Sequence, residues 1–195
     1  MEEGNSARAF KPQNEDEAKA FKELQLITSK PMFYVCNVAE DEAIEGNSYS
    51  KKVQEIAEKE NSNSVLISAK IEEEVAQLEN EEEKQEFLQA IGLQETGLSK
   101  MIKAGYDLLD LQTFFTIGSK EARAWTIRKK SSAPQAAGKI HTDFEKGYIR
   151  AETIAFSDYL EVGSEQAAKD KGKMRSEGKD YVVQDGDVIH FRFNV

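Results

Sequence analysis

Two short apolar segments, MFYVC at residues 32–36 and SVLIS at 64–68, lie on either side of a segment with helical spacing. In that segment, residues 48–60, the apolar positions Val53, Ile56 and Ala57 fall on one helical face. Strands joined through a crossover helix are parallel, because a tight turn can join only antiparallel neighbours. The first half of the chain therefore predicts an α/β fold built on a parallel sheet.

The rest of the first half predicts further helices. Residues 14–28 and 80–92 each begin with an Asn that is followed by a Glu three positions later, which is the spacing of a capping box. Further helices are predicted from near Ile71 and, from the spacing of Leu and Met, over 96–112.

The apolar pattern changes at Gln112. The segments QTFFTIG and ARAWTIRK read as two strands of a hairpin, and a helix can follow Pro134. IRAETIAF, residues 149–156, predicts a third strand, and Asp185-Gly186 is a strong signal for a second hairpin. Short strands with one main helix predict a small α+β domain of the β-grasp kind, with Phe114, Phe115 and Trp125 in its core rather than on a base-stacking surface.

The two parts differ in charge. Residues 112–195 contain 14 Lys and Arg against 12 Asp and Glu, a net charge of +2, whereas residues 1–111 contain 12 against 24, a net charge of −12. Such asymmetry suggests two units with different partners. The single cysteine, Cys36, cannot form an internal disulfide, and the acidic start MEEGNSARAF is unlike a signal peptide. We therefore expect a cytoplasmic protein.

Four longer segments carry a family resemblance. They are RAWTIRKKSSAPQAAGKIHTDFEKGYIRAE at 123–152, GKDYVVQDGDVIHFRFNV at 178–195, KAGYDLLDLQTFFTIG at 103–118 and SKPMFYVCNVAE at 29–40. The chain resembles the C-terminal part of the YchF and Obg-like ATPases, and the resemblance covers essentially its whole length.

The resemblance implies a truncated P-loop α/β segment followed by a ubiquitin-like β-grasp module, the TGS domain. Residues 14–111 would be the last part of the P-loop nucleotide-binding domain, and 112–195 would be the TGS domain. Residues 1–13 would be the end of a helical insertion. In the full-length protein, the resemblance implies ATP or GTP with Mg²⁺ as ligands, and the ribosome or RNA as partner.

The family's phosphate-binding loop has no counterpart in this sequence. That loop has the form Gly-x-x-x-x-Gly-Lys-Ser/Thr, and none of the three Gly-Lys pairs, at 138–139, 172–173 and 178–179, fits it. The loop and the switch segments hold the triphosphate and drive its hydrolysis. We therefore expect the chain to correspond to a C-terminal fragment that cannot hydrolyse nucleotide by itself. The alternative is a non-enzymatic TGS module that binds RNA, the ribosome or a protein.

The loop Asn37-Val38-Ala39-Glu40 follows the first predicted strand, where open α/β sheets bind ligands. By resemblance, it corresponds to the Asn-Lys-x-Asp loop that reads guanine in GTPases, with the Lys and the Asp replaced. The resemblance implies that the Val38 N–H and C=O read adenine N1 and the 6-amino group. Asn37 would hold the loop or touch N7, and Glu40 would turn aside. Ser68 and Ala69, in the second loop, would border the base. Without the resemblance, the polar residues of the first loop would be an ordinary strand end.

The predicted C-terminal domain has several basic residues around two strands and a helix. A basic face of this kind suits phosphate contacts with RNA or a ribosome, although scattered solvated charges are the alternative. The candidate residues are Arg123, Arg128, Lys129, Lys130, Lys139, Lys146 and Arg150.

Overall fold

The computed structural model describes residues 6–118 and 120–194. Residues 1–5 of the predicted helical-insertion segment, Ser119 of the predicted turn and Val195 at the end of the predicted TGS domain lie outside this description. The chain divides into two compact units, Met1–Leu108 and Leu109–Val195, called here unit 1 and unit 2. In the described part of the chain, no helix is both long and apolar enough to cross a membrane.

Unit 1 contains one pair of parallel strands, as the crossover pattern predicts. Strand β1, Tyr34–Asn37, runs beside β2, Ser64–Ile67, and Asn37 is opposite Ile67 at the carboxyl end of the pair. Both strands are short and neither is fully buried. Its helices are α1 (Glu15–Glu23), α2 (Ser48–Lys59), α3 (Ala69–Ala76), α4 (Glu81–Ala90) and α5 (Gly97–Leu108).

The predicted caps form at two of these helices. The side chains of Asn14 and Asn80 accept hydrogen bonds from backbone N–H groups in the first turns of α1 and α4. However, α1 ends well before the predicted Thr28, because Gln25 has a left-handed backbone with φ of 46° that cannot continue a helix. A small core is formed by Ile71 and Val75 of α3, Leu88 of α4 and Ala43.

Unit 2 is a mixed five-stranded sheet with helices. Its strands are β3 (Leu111–Ile117), β4 (Ala122–Arg128), β5 (Tyr148–Ile154), β6 (Arg175–Glu177) and β7 (Val188–Phe193), in the order β4-β3-β7-β5-β6. The predicted β3–β4 hairpin is confirmed, and β7 is parallel to β3 but antiparallel to β5. Its helices are α6 (Ala133–Ile140), α7 (Thr142–Lys146), α8 (Phe156–Val162) and α9 (Glu165–Asp170).

The core of unit 2 lies between the sheet and α6. Phe114 is completely buried there, and its ring stacks with Trp125 and meets the Phe191 ring edge-on. The small residues Ala133, Ala136 and Ala137 let α6 lie close to the sheet. The predicted core positions of Phe114 and Trp125 are confirmed, and Phe115 packs against the second cluster described next. A second cluster, with Ile154 and Val188, packs on the opposite face of the sheet.

The predicted hairpin at Asp185-Gly186 is wrong. The Asp185 carboxylate accepts a hydrogen bond from the Thr113 N–H at 2.8 Å, and the Gly186 N–H donates to the Thr113 carbonyl at 2.8 Å. Because the turn is attached to β3, the segment before it does not fold back on β7. Instead, Val182 forms an isolated bridge with Ser132. The segment 156–177, with α8, α9 and β6, was not predicted.

Candidate functional site

The two loops that were predicted to border a base are joined by a hydrogen bond. The Asn37 Oδ1 accepts from the Ala69 N–H at 3.0 Å, which connects the end of β1 to the start of α3. Because that N–H can only donate, the atom facing it is the amide oxygen, and the Asn37 NH₂ group keeps both of its hydrogens for another partner. Asn37, Val38, Ser68 and Ala69 are thus brought together at one edge of the sheet.

One predicted contact of Val38 is wrong in this arrangement. The Val38 N–H donates to the Ile67 carbonyl at 2.9 Å, which extends the β1–β2 ladder by one residue. That N–H is therefore not free to reach adenine N1. No described residue donates to the Val38 carbonyl, so this group keeps its acceptor capacity. The side chain of Val38 is buried.

Ser68 differs from an ordinary helix cap. It immediately precedes α3 and is only 3% exposed, yet its side chain makes no capping hydrogen bond. Its Oγ is buried and has no hydrogen-bond partner among the described residues. A buried hydroxyl without a partner is uncommon and calls for an explanation such as a bound ligand or water.

The carboxylate that orders the first loop is Glu42, which the sequence analysis did not identify. Its Oε2 accepts from the Ala39 N–H at 3.3 Å and from the Asn47 Nδ2 at 2.8 Å. The Asn47 Oδ1 in turn accepts from two backbone N–H groups, those of Tyr49 and Ser50, at the start of α2. Glu40 is exposed at the beginning of a short 3₁₀ helix, Glu40–Glu42.

The path of this loop also depends on Gly46. Its φ of 70° is left-handed, and a Cβ at this position would collide with the Ser50 Oγ. A cavity of about 330 Å³ opens between β1 and α2, and Asn37, Val38 and Asn47 are among the residues that line it. No group of three or more His, Cys, Asp or Glu side chains in the described chain could hold a metal ion.

The seven candidate basic residues of unit 2 do not form one surface. A groove with a volume of about 770 Å³ is lined by four of them, Arg128, Lys129, Lys130 and Lys139. Arg123 lies over the Trp125 ring, with 4.3 Å from its Cζ to the ring centroid. Lys146, on α7, does not line the groove.

Arg150 is engaged elsewhere. Its Nη2 contacts the Glu152 Oε1 at 3.0 Å, and Arg192 contacts the other oxygen of the same carboxylate at 2.9 Å. The hydrogen bond from Arg192, together with the one from Arg150, lowers the pKa of Glu152 although burial opposes this shift. Both Arg side chains are therefore held by the same carboxylate, and neither is among the residues that line the groove.

A parallel strand pair with polar loops at its carboxyl edge, together with a mixed-sheet unit, defines a mixed α/β protein. Residues 111–194 match the family YchF-GTPase_C, described as "Protein of unknown function (DUF933)". The chain is 55% identical over 183 residues to the ribosome-binding ATPase YchF of Bacillus subtilis, covering 93% of this chain and 50% of the relative. It is 42% identical to Obg-like ATPase 1 of Rattus norvegicus, covering 100% of this chain and 49% of the relative.

The structure is also similar to that of the Schizosaccharomyces pombe YchF GTPase. The TM-score is 0.80 at 33% identity, with 98% of this chain and 51% of the other covered. The chain therefore belongs to the YchF/Obg-like ATPase family, as its sequence predicts. It spans about half the length of the curated relatives that it matches.

Proposed function

We propose that unit 1 supplies the base-binding part of an adenine nucleotide site, as the last part of a P-loop domain. The hydrogen bond between Asn37 Oδ1 and the Ala69 N–H carries this proposal, because it holds both candidate base loops at the carboxyl end of a parallel strand pair. The buried, unpartnered Ser68 Oγ beside them supports a ligand there.

The donors and acceptors at this edge suit adenine better than guanine. The Asn37 NH₂ group can donate to purine N7, and the Val38 carbonyl can accept from the 6-amino group of adenine. Guanine has an acceptor, O6, in place of that amino group. The Val38 carbonyl would then face another oxygen, and an unmatched polar contact of this kind costs about 1–3 kcal/mol. Glu40 and Val38 replace the Asp and Lys of the guanine-reading loop, so strong guanine selection is not expected.

A nucleoside titration of the ¹⁵N-labelled chain tests the base site. Adenosine is expected to shift the signals of the Asn37 side-chain NH₂ and the Ala69 N–H, and guanosine to bind about 5-fold to 150-fold more weakly, which corresponds to 1–3 kcal/mol. Asn37→Ala should abolish the adenosine shifts. Asn63→Ala is the matched control, because Asn63 is an exposed residue before the amino end of β2. Equal shifts with both nucleosides, or unchanged binding by Asn37→Ala, would contradict the proposal.

At the level of the whole protein, we propose an ATPase with relaxed guanine selectivity that works in the cytoplasm. When bound, Mg²⁺ would neutralise the triphosphate during transfer of a phosphoryl group to water. The 195 residues contain no phosphate-binding loop motif, so Asn37, Val38, Ser68 and Ala69 would hold only the base. The chain alone is accordingly expected to show no ATPase activity.

We further propose that unit 2 is a β-grasp TGS domain that contributes to ribosome association. The names of the Bacillus subtilis and Escherichia coli relatives, both called ribosome-binding ATPases, support this second function. Sedimentation of the chain with purified ribosomes at low salt tests it. We expect the chain in the pellet, and its absence from the pellet at low salt would refute ribosome association by this part of the protein.

A further inference from the structure

We infer that the groove of unit 2 is a binding site for the phosphate backbone of single-stranded RNA. This groove, called here the basic groove, is lined by the end of β4, the turn after it and the outer face of α6. The inference rests on the proposed ribosome association and names the part of unit 2, and the chemistry, that would serve it.

The basic groove collects four positively charged side chains. Its side chains include Arg128, Lys129, Lys130 and Lys139, and no Asp or Glu is among its lining residues. Arg128, Lys130 and Lys139 are exposed, and no described carboxylate forms an ion pair with any of these three. Arg150 and Arg192, by contrast, share Glu152. The exposed side chains of Arg128, Lys130 and Lys139 therefore point to the groove as the anion-binding part of unit 2.

The backbone beneath these cations is fixed before any ligand arrives. The Lys129 N–H donates to the Asp110 carbonyl at 2.7 Å, and the Val183 N–H donates to the Ser131 carbonyl at 3.0 Å. Between them, Lys130 has a left-handed backbone with φ of 65°. On the other wall, the fully buried Ala136 and Ala137 anchor α6 to the core. A preorganised site loses less conformational entropy when it binds a ligand.

The lining favours a polyanion over a protein partner. Protein interfaces depend on large apolar or aromatic anchors that enter pockets. No lining residue of the basic groove belongs to the exposed large apolar side chains of the described chain. Lys, Arg, Ser and Gln are side chains that commonly contact phosphate oxygens. The groove therefore fits a flexible phosphodiester chain, and an acidic peptide is the competing occupant.

Fluorescence anisotropy with a labelled oligouridine of about 12 nucleotides tests the inference on the full chain. We expect Lys130→Ala/Lys139→Ala to weaken RNA binding at least about 10-fold, and to reduce the slope of log K against log salt by about 1.4, since each contact in single strands contributes about 0.7. Lys169→Ala/Lys171→Ala removes the same charge in and just after α9, outside the groove, and should change binding less than about 2-fold by the same reasoning. Lys130→Arg/Lys139→Arg should retain binding.

Three results would overturn the inference. The first is an equal loss of affinity in both double alanine variants. The second is no loss in Lys130→Ala/Lys139→Ala. The third is displacement of the RNA by polyglutamate at equal charge concentration, which would favour an acidic peptide.

Ribosome sedimentation of the same variants separates this inference from the proposed function. If the unaltered chain pellets with ribosomes and Lys130→Ala/Lys139→Ala pellets equally well, the basic groove is the wrong site while ribosome association stands. If the unaltered chain binds oligouridine through the groove but does not pellet, ribosome association fails and the RNA site stands.

Discussion

Asp187 is a buried carboxylate on which the fold of unit 2 is expected to depend. Its side chain is only 2% exposed, and its Oδ2 accepts from the Tyr181 hydroxyl at 2.7 Å and from the Gln184 N–H at 2.9 Å. Its Oδ1 lies 3.8 Å from an Arg175 nitrogen. These contacts hold the segment that leads from β6 to β7, whose Tyr181 carbonyl accepts from the Ala133 N–H at the start of α6. Asp187→Asn tests this network.

The expected loss of stability is about 2 kcal/mol. An amide oxygen in place of Oδ2 can accept both hydrogen bonds, but each becomes a bond between neutral groups. Bonds to a charged group contribute about 1.5–3 kcal/mol and neutral ones about 0.5–1.5, a difference of about 1 kcal/mol for each bond. Arg175 is 45% exposed, so its ion pair adds little. For a unit of this size, the melting temperature should fall by about 8–16 °C.

The same change should lower the pKa of Tyr181. Burial raises this pKa to about 12, together with the hydrogen bond to Asp187 and the negative charge of that residue. An ordinary tyrosine has a pKa of about 10, so the stabilisation of the neutral phenol is complete below about pH 10 and is lost as the pH rises to about 12. The unaltered chain should therefore lose stability over this range, and Asp187→Asn should lose less.

Denaturation in guanidinium chloride, followed by the fluorescence of Trp125, measures the free energy of unfolding of unit 2. Trp125 is the only tryptophan of the chain and packs against its core. The absorbance of tyrosinate during an alkaline titration measures the pKa. Asp180→Asn is the control, because Asp180 is exposed in the same segment. A stability change in Asp187→Asn no larger than in this control, or an unaltered high-pH tyrosine titration, would refute the reasoning.

Two further changes test other parts of unit 2. Glu152→Gln should make the stability of unit 2 less sensitive to acid. The Arg192 hydrogen bond lowers the pKa of Glu152 in the folded protein. The ionised Glu152 therefore stabilises the fold above its unfolded pKa of about 4.3, and this stabilisation is lost as the pH falls through the lower folded pKa. Urea midpoints between pH 5 and pH 3 should fall less steeply in Glu152→Gln than in the unaltered chain, and parallel curves would contradict this. Gly147→Ala should destabilise unit 2 by about 1–3 kcal/mol, because the added Cβ would collide with the Asn194 carbonyl. Gly178→Ala, where a Cβ has open space, is its control in the same fluorescence assay, and equal stability of the two variants would argue against the collision.

The secondary structure was predictable where the local pattern of apolar residues is strong. The apolar runs of β1 and β2, and the helical spacing of α2, belong to this class. Strand β6, by contrast, is the tripeptide Arg-Ser-Glu, which has no apolar residue and exists because it pairs with the edge of β5. The Asp185-Gly186 signal was misleading since the Asp185 side chain bonds to β3, a contact across 72 positions that no local pattern contains.

The candidate base site was likewise predictable from the sequence only in part. The crossover rule places Asn37 and Ser68 at one sheet edge, because parallel strands end on the same side. The hydrogen bond between Asn37 and Ala69 joins residues 32 positions apart, and that of Glu42 with Asn47 has no helical or turn spacing. These contacts, and the use of the Val38 N–H by the ladder, depend on the three-dimensional path of the loop.

The base site and the basic groove should differ in how tightly each binds its ligand when no residues outside this chain contribute. At the base site, the Asn37 NH₂ group, the Val38 carbonyl and the Ser68 hydroxyl offer about three hydrogen bonds, each contributing about 1 to 1.5 kcal/mol. Together they allow a dissociation constant for adenosine of about 1 mM, which is measurable by titration but weak. A triphosphate-binding loop would supply most of the affinity for ATP. The basic groove does not depend on such a loop, because its cations and the buried Ala136 and Ala137 of α6 belong to the same unit. RNA binding is therefore the activity that the chain should retain alone, whereas useful nucleotide affinity requires phosphate contacts beyond these residues.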